Sequence, residues 1–203
     1  MTSIRPTSRL LSGLTVCLLA VGLWQIGEGS WIHVKARLAQ VLLQRAWTRT
    51  LAGERAVKPW PWADTWPVAR LTVPSHDIDM IVLNGAYGRT LAFGPGYAES
   101  SAFPGTTGTT ILTGHRDTHF RFLARLGRGD AIHLQMPSGR IELFRVTRTS
   151  ILSSSGTRLR RTADRPSLAL VTCYPFDAII PGGPLRYLVE AEPDGKRPIH
   201  GTS

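Results

Sequence analysis

Three side chains in this chain of 203 residues are of types that can cooperate in covalent chemistry: Cys173, His115 and Arg186. Cys173 falls in "LALVTCYPFD", Leu168 to Asp177, at the end of what reads as a short buried strand. His115 stands in "LTGHRDTHF", immediately beyond another strand, and Arg186 opens the last long strand. A β-scaffold presents side chains at strand ends to a common rim. There a thiol and an imidazole can form a nucleophile pair, and a guanidinium can stabilise the oxyanion of a tetrahedral intermediate. Arginine suits that role because it stays charged and carries several donors. Each residue also has a plainer reading: a small core residue, a turn histidine, a surface charge. His76, His119 and His133 are further candidates for the base, and spacing does not choose among them. "GHRDTH" offers His115, Asp117 and His119 to a metal, but no second cluster completes a ligand set, so no metal site is expected.

The elements that must position these residues begin after a proline-punctuated stretch, "KPWPWADTWP", which cannot be helical. Its three tryptophans suit the cover of a domain edge better than a ligand site. From Val68 the pattern becomes short strands separated by turn residues: "VARLTV", "IDMIVL", "TTILTG", "AIHLQM", "IELFRVT", "SLALVTC" and "LRYLVEA". "PSGR" marks a hairpin between two of them, and "HFRFLARL" reads as one short helix. So many short strands with hairpins argue for a mainly β fold, a closed barrel or a sandwich. The segment from Ile151 to Pro166 is a long serine- and arginine-rich loop, and loops of that length are functional or mobile.

Ahead of this domain, Arg5 and Arg9 precede an uncharged apolar run from Leu10 to Ile26. As a helix it is about 26 Å long, adequate for a thin bilayer. The leading arginines favour an anchor with its N-terminus inside, although Lys35, Arg37, Arg45 and Arg49 follow the run and oppose that orientation. The alternative is a cleaved signal peptide, with Ala20 and Gly22 as the small residues before the cut. Ser30 to Leu51 then reads as an amphipathic helix, with Trp31, Val34, Leu38, Val41 and Leu42 on one face. The chain therefore divides into an anchor (1–30), a helix and Pro/Trp-rich linker (31–66) and a β-domain (67–203). The net charge of +10 raises nucleic acid as a partner, but no motif or recognition helix supports it. An anionic lipid surface or envelope polymer is the better match. Of the two cysteines, Cys17 lies in the apolar run, so Cys173 has no partner within the chain.

"LTGHRDTHFRFL", "LVTCYPFDAIIPGGPLRYLVEA" and "WPWADTWPVARL" together resemble the sortases, most closely the subgroup encoded in Gram-negative bacteria. The resemblance runs from about Trp60 to Ala191. It implies an eight-stranded β-barrel with short helices, preceded by a transmembrane helix, and His115, Cys173 and Arg186 as the catalytic triad. It also implies a membrane-anchored cysteine transpeptidase in the cell envelope, single-pass in the inner membrane with its catalytic domain outside. Such an enzyme cleaves an LPXTG-like sorting signal of a target protein through a thioester and passes the acyl group to an amine. No cofactor is implied. One departure stands out: the family motif Thr-Leu-any-Thr-Cys begins here with Ala169. Some sortases bind calcium through acidic residues of the loop that matches Ile151 to Pro166. With Arg158, Arg160, Arg161 and Arg165 against Asp164, no calcium site is expected here. Two alternatives stay open: a non-catalytic envelope β-module, and a cysteine peptidase that only hydrolyses.

Overall fold

The computed structural model describes residues 6–154, 164–178, 180, 182–195 and 199–200. They form two compact units, Met1–Val41 and Leu42–Ser203. A single helix, α1 (Pro6–Leu51), runs through the apolar and amphipathic segments that read separately in the sequence. Gly27 and Gly29 lie inside it with open space around them. An interior glycine disfavours a helix by only about 1 kcal/mol relative to alanine, too little to break one of this length. In the first unit Leu14, Leu19, Trp24 and Ile26 are exposed. Among the described residues α1 is the one helix long and apolar enough to cross a membrane.

In the second unit the last turns of α1 bury Leu43 and Trp47 against Ile81 and Leu83, with Phe93 beside them. The strands are β1 (Pro67–Val73), β2 (Ile78–Asn84), β3 (Gly96–Tyr97), β4 (Gly108–Thr113), β5 (Ala131–Gln135), β6 (Arg140–Ser153), β7 (Pro166–Cys173), β8 (Leu185–Pro193) and β9 (Ile199–His200). A four-residue helix, α2 (Gly88–Leu91), and 3₁₀ turns at Pro74–His76 and Arg121–Arg125 complete the set. The neighbours run β5-β1-β2-β3-β4-β7-β8-β6, and β6 pairs back onto β5. Eight strands therefore close into a barrel, as the sequence implied, and β9 adds to the first residues of β6. Two neighbouring pairs, β2–β3 and β4–β7, are parallel.

Alternate positions fill the barrel: Leu71 and Val73 of β1, Leu168 and Leu170 of β7, Val189 and Ala191 of β8. The intervening residues of β7, including Val171 and Cys173, therefore face outward. In β6 the register shifts at Thr147, whose neighbours Val146 and Arg148 oppose Ala191 and Glu190. This bulge keeps Val146 in the core and turns Arg148 outward to meet Glu190. Beyond it β6 continues to Ser153, so the start of the expected loop at Ile151 is strand. The arginine-rich part of that loop, 155–163, lies outside the described residues. "HFRFLARL" supplies only the 3₁₀ turn Arg121–Arg125, which buries Phe122 and Leu123. Of the tryptophans ahead of β1, Trp60 stacks edge-on against Phe93 and Trp66 packs on the barrel core, while Trp62 is 83% exposed.

Candidate functional site

Cys173 ends β7 and Arg186 is its cross-strand partner in β8. Just beyond them the Tyr174 N–H donates to the Leu185 carbonyl at 3.1 Å. That bond makes Cys173–Arg186 a non-hydrogen-bonded pair, the kind in which facing side chains approach most closely. Their Cβ atoms are thus about 5 Å apart on one face of the barrel. Cys173 is a free, half-buried thiol. Arg186 Nη1 donates to the Gly183 and Leu185 carbonyls at 2.6 and 2.8 Å, which ties its guanidinium to the turn entering β8.

His115 arrives from the other side of β7. Strand β4 lies parallel to β7 with Thr113 opposite Val171. One residue on, the Gly114 N–H donates to the Val171 carbonyl at 3.3 Å, and the buried Thr172 hydroxyl donates to the Gly114 carbonyl at 2.7 Å. The two chains thus leave the sheet side by side, and His115 follows directly on Gly114 at the end of β7 that carries Cys173. Only glycine fits at position 114, because a Cβ there would lie 2.8 Å from the buried Phe120 ring. Phe120 in turn donates its N–H to the His115 carbonyl, which closes the turn.

The residues flanking the cysteine are pinned by an aromatic trio. Tyr174 stacks on Tyr187 at 6.1 Å, and Phe176 meets Tyr187 edge-on at 5.2 Å. Arg116 is buried and reaches the same segment, donating to the Pro175 carbonyl at 2.8 Å and the Ala178 carbonyl at 2.6 Å. A cleft of about 780 Å³ opens between these two segments and β2, with Met80, Arg116, His119, Phe122 and Phe176 in its walls.

The other histidines separate by position. His133 sits within β5, facing Thr72 and Leu143 on the neighbouring strands, and β5 is not paired with β7. His76 lies in the turn after β1, 3.4 Å from Asp130. His119 alone stands near His115. Burial holds its imidazole below the ordinary value, a hydrogen bond with the Ala92 backbone opposes that, and the nearby His115 adds to the lowering. The structure therefore brings His115, Cys173 and Arg186 to one rim. It also shows two residues that sequence reasoning passed over: Thr172, read only as part of a motif, and Arg116, read only as part of a weak metal cluster. Their neighbours in the chain were already singled out, so the available signal was position next to a candidate group.

Taken together, this is a closed mixed β-barrel that sets a thiol, a guanidinium and an imidazole at one end. The family model described as "Sortase domain" matches residues 71–194, and the chain belongs to the sortase family. It is similar to sortase D of Bacillus subtilis, 29% identical over 120 residues. That alignment covers 59% of this chain and 60% of the relative's length. Among solved structures it resembles the catalytic domain of SrtD from B. anthracis, 32% identical with a TM-score of 0.53, over 64% of this chain and 88% of that one. A Clostridium perfringens sortase D5 transpeptidase is 25% identical with a TM-score of 0.56, over 64% and 80% of the two chains.

Proposed function

We propose that the protein is a membrane-anchored cysteine transpeptidase in which Cys173, His115 and Arg186 carry the reaction. The observation that supports this best is the register: Cys173 opposes Arg186 across one rung, while the Thr172–Gly114 hydrogen bond ties the His115 turn to the same end of β7. The Cys173 thiolate attacks the carbonyl carbon of the scissile peptide bond, and the Arg186 guanidinium stabilises the oxyanion that forms. As the tetrahedral intermediate collapses, the C–N bond breaks and the His115 imidazolium gives its proton to the leaving amine. A thioester remains on Cys173. An incoming amine, deprotonated by the now neutral His115, attacks it and releases the thiolate; water in place of the amine gives hydrolysis.

The substrate is a target protein bearing an LPXTG-like sorting signal, in keeping with the motifs around His115 and Cys173. Those same segments favour the subgroup of the family encoded in Gram-negative bacteria. The apolar stretch of α1 then serves as a single-pass inner-membrane anchor with the N-terminus in the cytoplasm and the barrel outside. The division into anchor (1–30), linker (31–66) and catalytic domain (67–203) follows from this assignment. Protease added to right-side-out vesicles should cut the barrel; protection of the barrel would refute the orientation.

The deciding experiment incubates the full chain in detergent micelles with a panel of LPXTG-like peptides and weighs the intact protein. An acyl adduct on the wild type that is absent from Cys173→Ala supports transpeptidation, and added amines should discharge it. The absence of an adduct with every peptide would overturn the assignment in favour of a non-catalytic module.

A further inference from the structure

We propose that Arg116 is a positioning residue for this reaction: its guanidinium straps the turn that carries His115 to the segment that follows Cys173. The inference rests on the transpeptidase assignment above, and its test is built to fail separately.

Arg116 is the only charged side chain among the described residues that is fully buried, at 5% exposure. The other arginines with recorded ion pairs, such as Arg49, Arg70, Arg145 and Arg148, sit at the surface. All three guanidinium nitrogens of Arg116 are engaged. Nη1 donates to the Pro175 carbonyl, Nη2 to the Ala178 carbonyl, and Nε to Asp117 Oδ1 at 3.3 Å. Asp117 is itself 70% exposed, so this carboxylate offsets little of the charge. Burying a cation against backbone carbonyls is a poor way to gain stability. It is a good way to fix geometry, because the planar fork sets the distance and the angle of two carbonyls at once.

What it fixes is specific. Arg116 is covalently next to His115, whose own carbonyl accepts hydrogen bonds from the Thr118 and Phe120 N–H groups. Pro175 and Ala178 lie just past Cys173, where the β7 ladder has ended and β8 has not begun. Sheet pairing therefore holds neither His115 nor this segment, and the strap spans the gap between them. A lysine ammonium is a point charge on a flexible stem and cannot present the same two-pronged donor.

The test uses the full chain in detergent micelles, in a Cys17→Ser background so that Cys173 is the sole thiol. Arg116→Lys and Arg116→Met are compared with Asp117→Ala, which leaves both carbonyl bonds in place, and with Ile132→Val, a barrel-core change that lowers stability alone. Two readouts are taken: single-turnover thioester formation with a peptide that acylates the wild type, and the pH profile of Cys173 alkylation by iodoacetamide. In Arg116→Lys the maximal acylation rate should fall on the order of 10²-fold, with the half-saturating peptide concentration changed far less. The midpoint of its alkylation profile should also move. Asp117→Ala and Ile132→Val should keep the wild-type rate and midpoint. Where Arg116→Met does not fold, Arg116→Lys carries the comparison. The proposal is overturned if Arg116→Lys keeps both the rate and the midpoint, or loses rate only as Ile132→Val does at equal thermal destabilisation. A wild type that forms no thioester refutes the transpeptidase assignment instead, while the alkylation profiles still decide whether Arg116 positions the two groups.

Discussion

Cys173 and Arg186 face each other across one rung of the β7–β8 ladder, whereas His115 stands on a turn beyond the end of β4. The first pair is placed by backbone register, which continues through six rungs from Leu168↔Ala191 to Cys173↔Arg186. The imidazole is placed by side chains: the Thr172 hydroxyl on Gly114, the Phe120 ring against Gly114, and the Arg116 fork. The difference teaches where the rim is vulnerable. Substitutions on the strand side remove a chemical group from a site that keeps its shape, while substitutions on the turn side change the shape around groups that remain.

The largest effect should come from the strand side. Arg186→Ala removes the proposed oxyanion donor, and loss of one such donor lowers the rate by about 10²–10³-fold. Among the described residues its hydrogen bonds run to the adjoining carbonyls of Gly183 and Leu185, so the melting temperature should move little. Thioester formation in a single turnover and a thermal melt check both halves of this outcome. A rate within tenfold of the wild type would remove Arg186 from the chemistry.

On the turn side, Thr172→Val keeps the shape of a buried side chain and deletes its hydroxyl. The Gly114 carbonyl then loses its partner, a loss of about 1–3 kcal/mol when the orphaned group is buried. Stability and rate should fall together here, because the bond lost is one that ties the His115 turn to β7. Equal stability loss with an unchanged rate would mean that the bond serves the fold alone. Gly114→Ala sharpens the same point. Its new Cβ, 2.8 Å from the Phe120 ring, forces an overpacking that typically disfavours the fold by about 1–3 kcal/mol.

How much of this was legible in the sequence follows the same division. Short runs bounded by turn residues mark seven strands to within about two residues at most ends, because turn residues interrupt the ladder where a strand must stop. The exceptions have physical reasons. β3 is two residues long and carries no period at all, and β6 runs on past a bulge that resets its alternation at Thr147. α1 reads as two segments because its apolar run ends at Ile26 and an amphipathic pattern begins at Ser30, a change of composition that helix cooperativity overrides. The thiol, the guanidinium and the imidazole were legible by type. Spacing did not choose among the four histidines and only the resemblance to sortases named His115; its place at that end of the barrel depends on β4 lying parallel to β7, a pairing between segments more than fifty residues apart. Arg116 was illegible for a related reason, as an arginine beside a histidine and an aspartate reads as surface until its burial is seen.

Ala169, where the family motif carries threonine, asks whether the strand side tolerates change away from the rung that bears the chemistry. It lies in β7 between Ile111 and Glu190 and is 2% exposed. Ala169→Thr adds a methyl and a hydroxyl to a closed site, so stability should fall by about 1–2 kcal/mol. The acylation rate should stay within a few-fold, because Ala169 is four rungs from the Cys173–Arg186 pair. A large gain in rate would show instead that the missing threonine shapes the peptide groove.

The smallest effect separates the two imidazoles of the turn. Burial lowers the proton affinity of His119, and the neighbouring His115 pushes in the same direction against its hydrogen bond with the Ala92 backbone. Its proton affinity is thus lower in the folded chain than in the unfolded one, so the unfolded chain takes up a proton first as the pH falls. Its contribution to stability is full above the ordinary imidazole value of about 6.5 and is lost as the pH drops through the lower folded value. Asp117, Asp177, Arg116, Arg121 and Arg125 line the same cleft and set the field in which it titrates. Melting temperatures measured between neutral and mildly acidic pH should therefore decline less steeply in His119→Gln than in the wild type. If the two profiles run parallel, His119 is not the group that titrates.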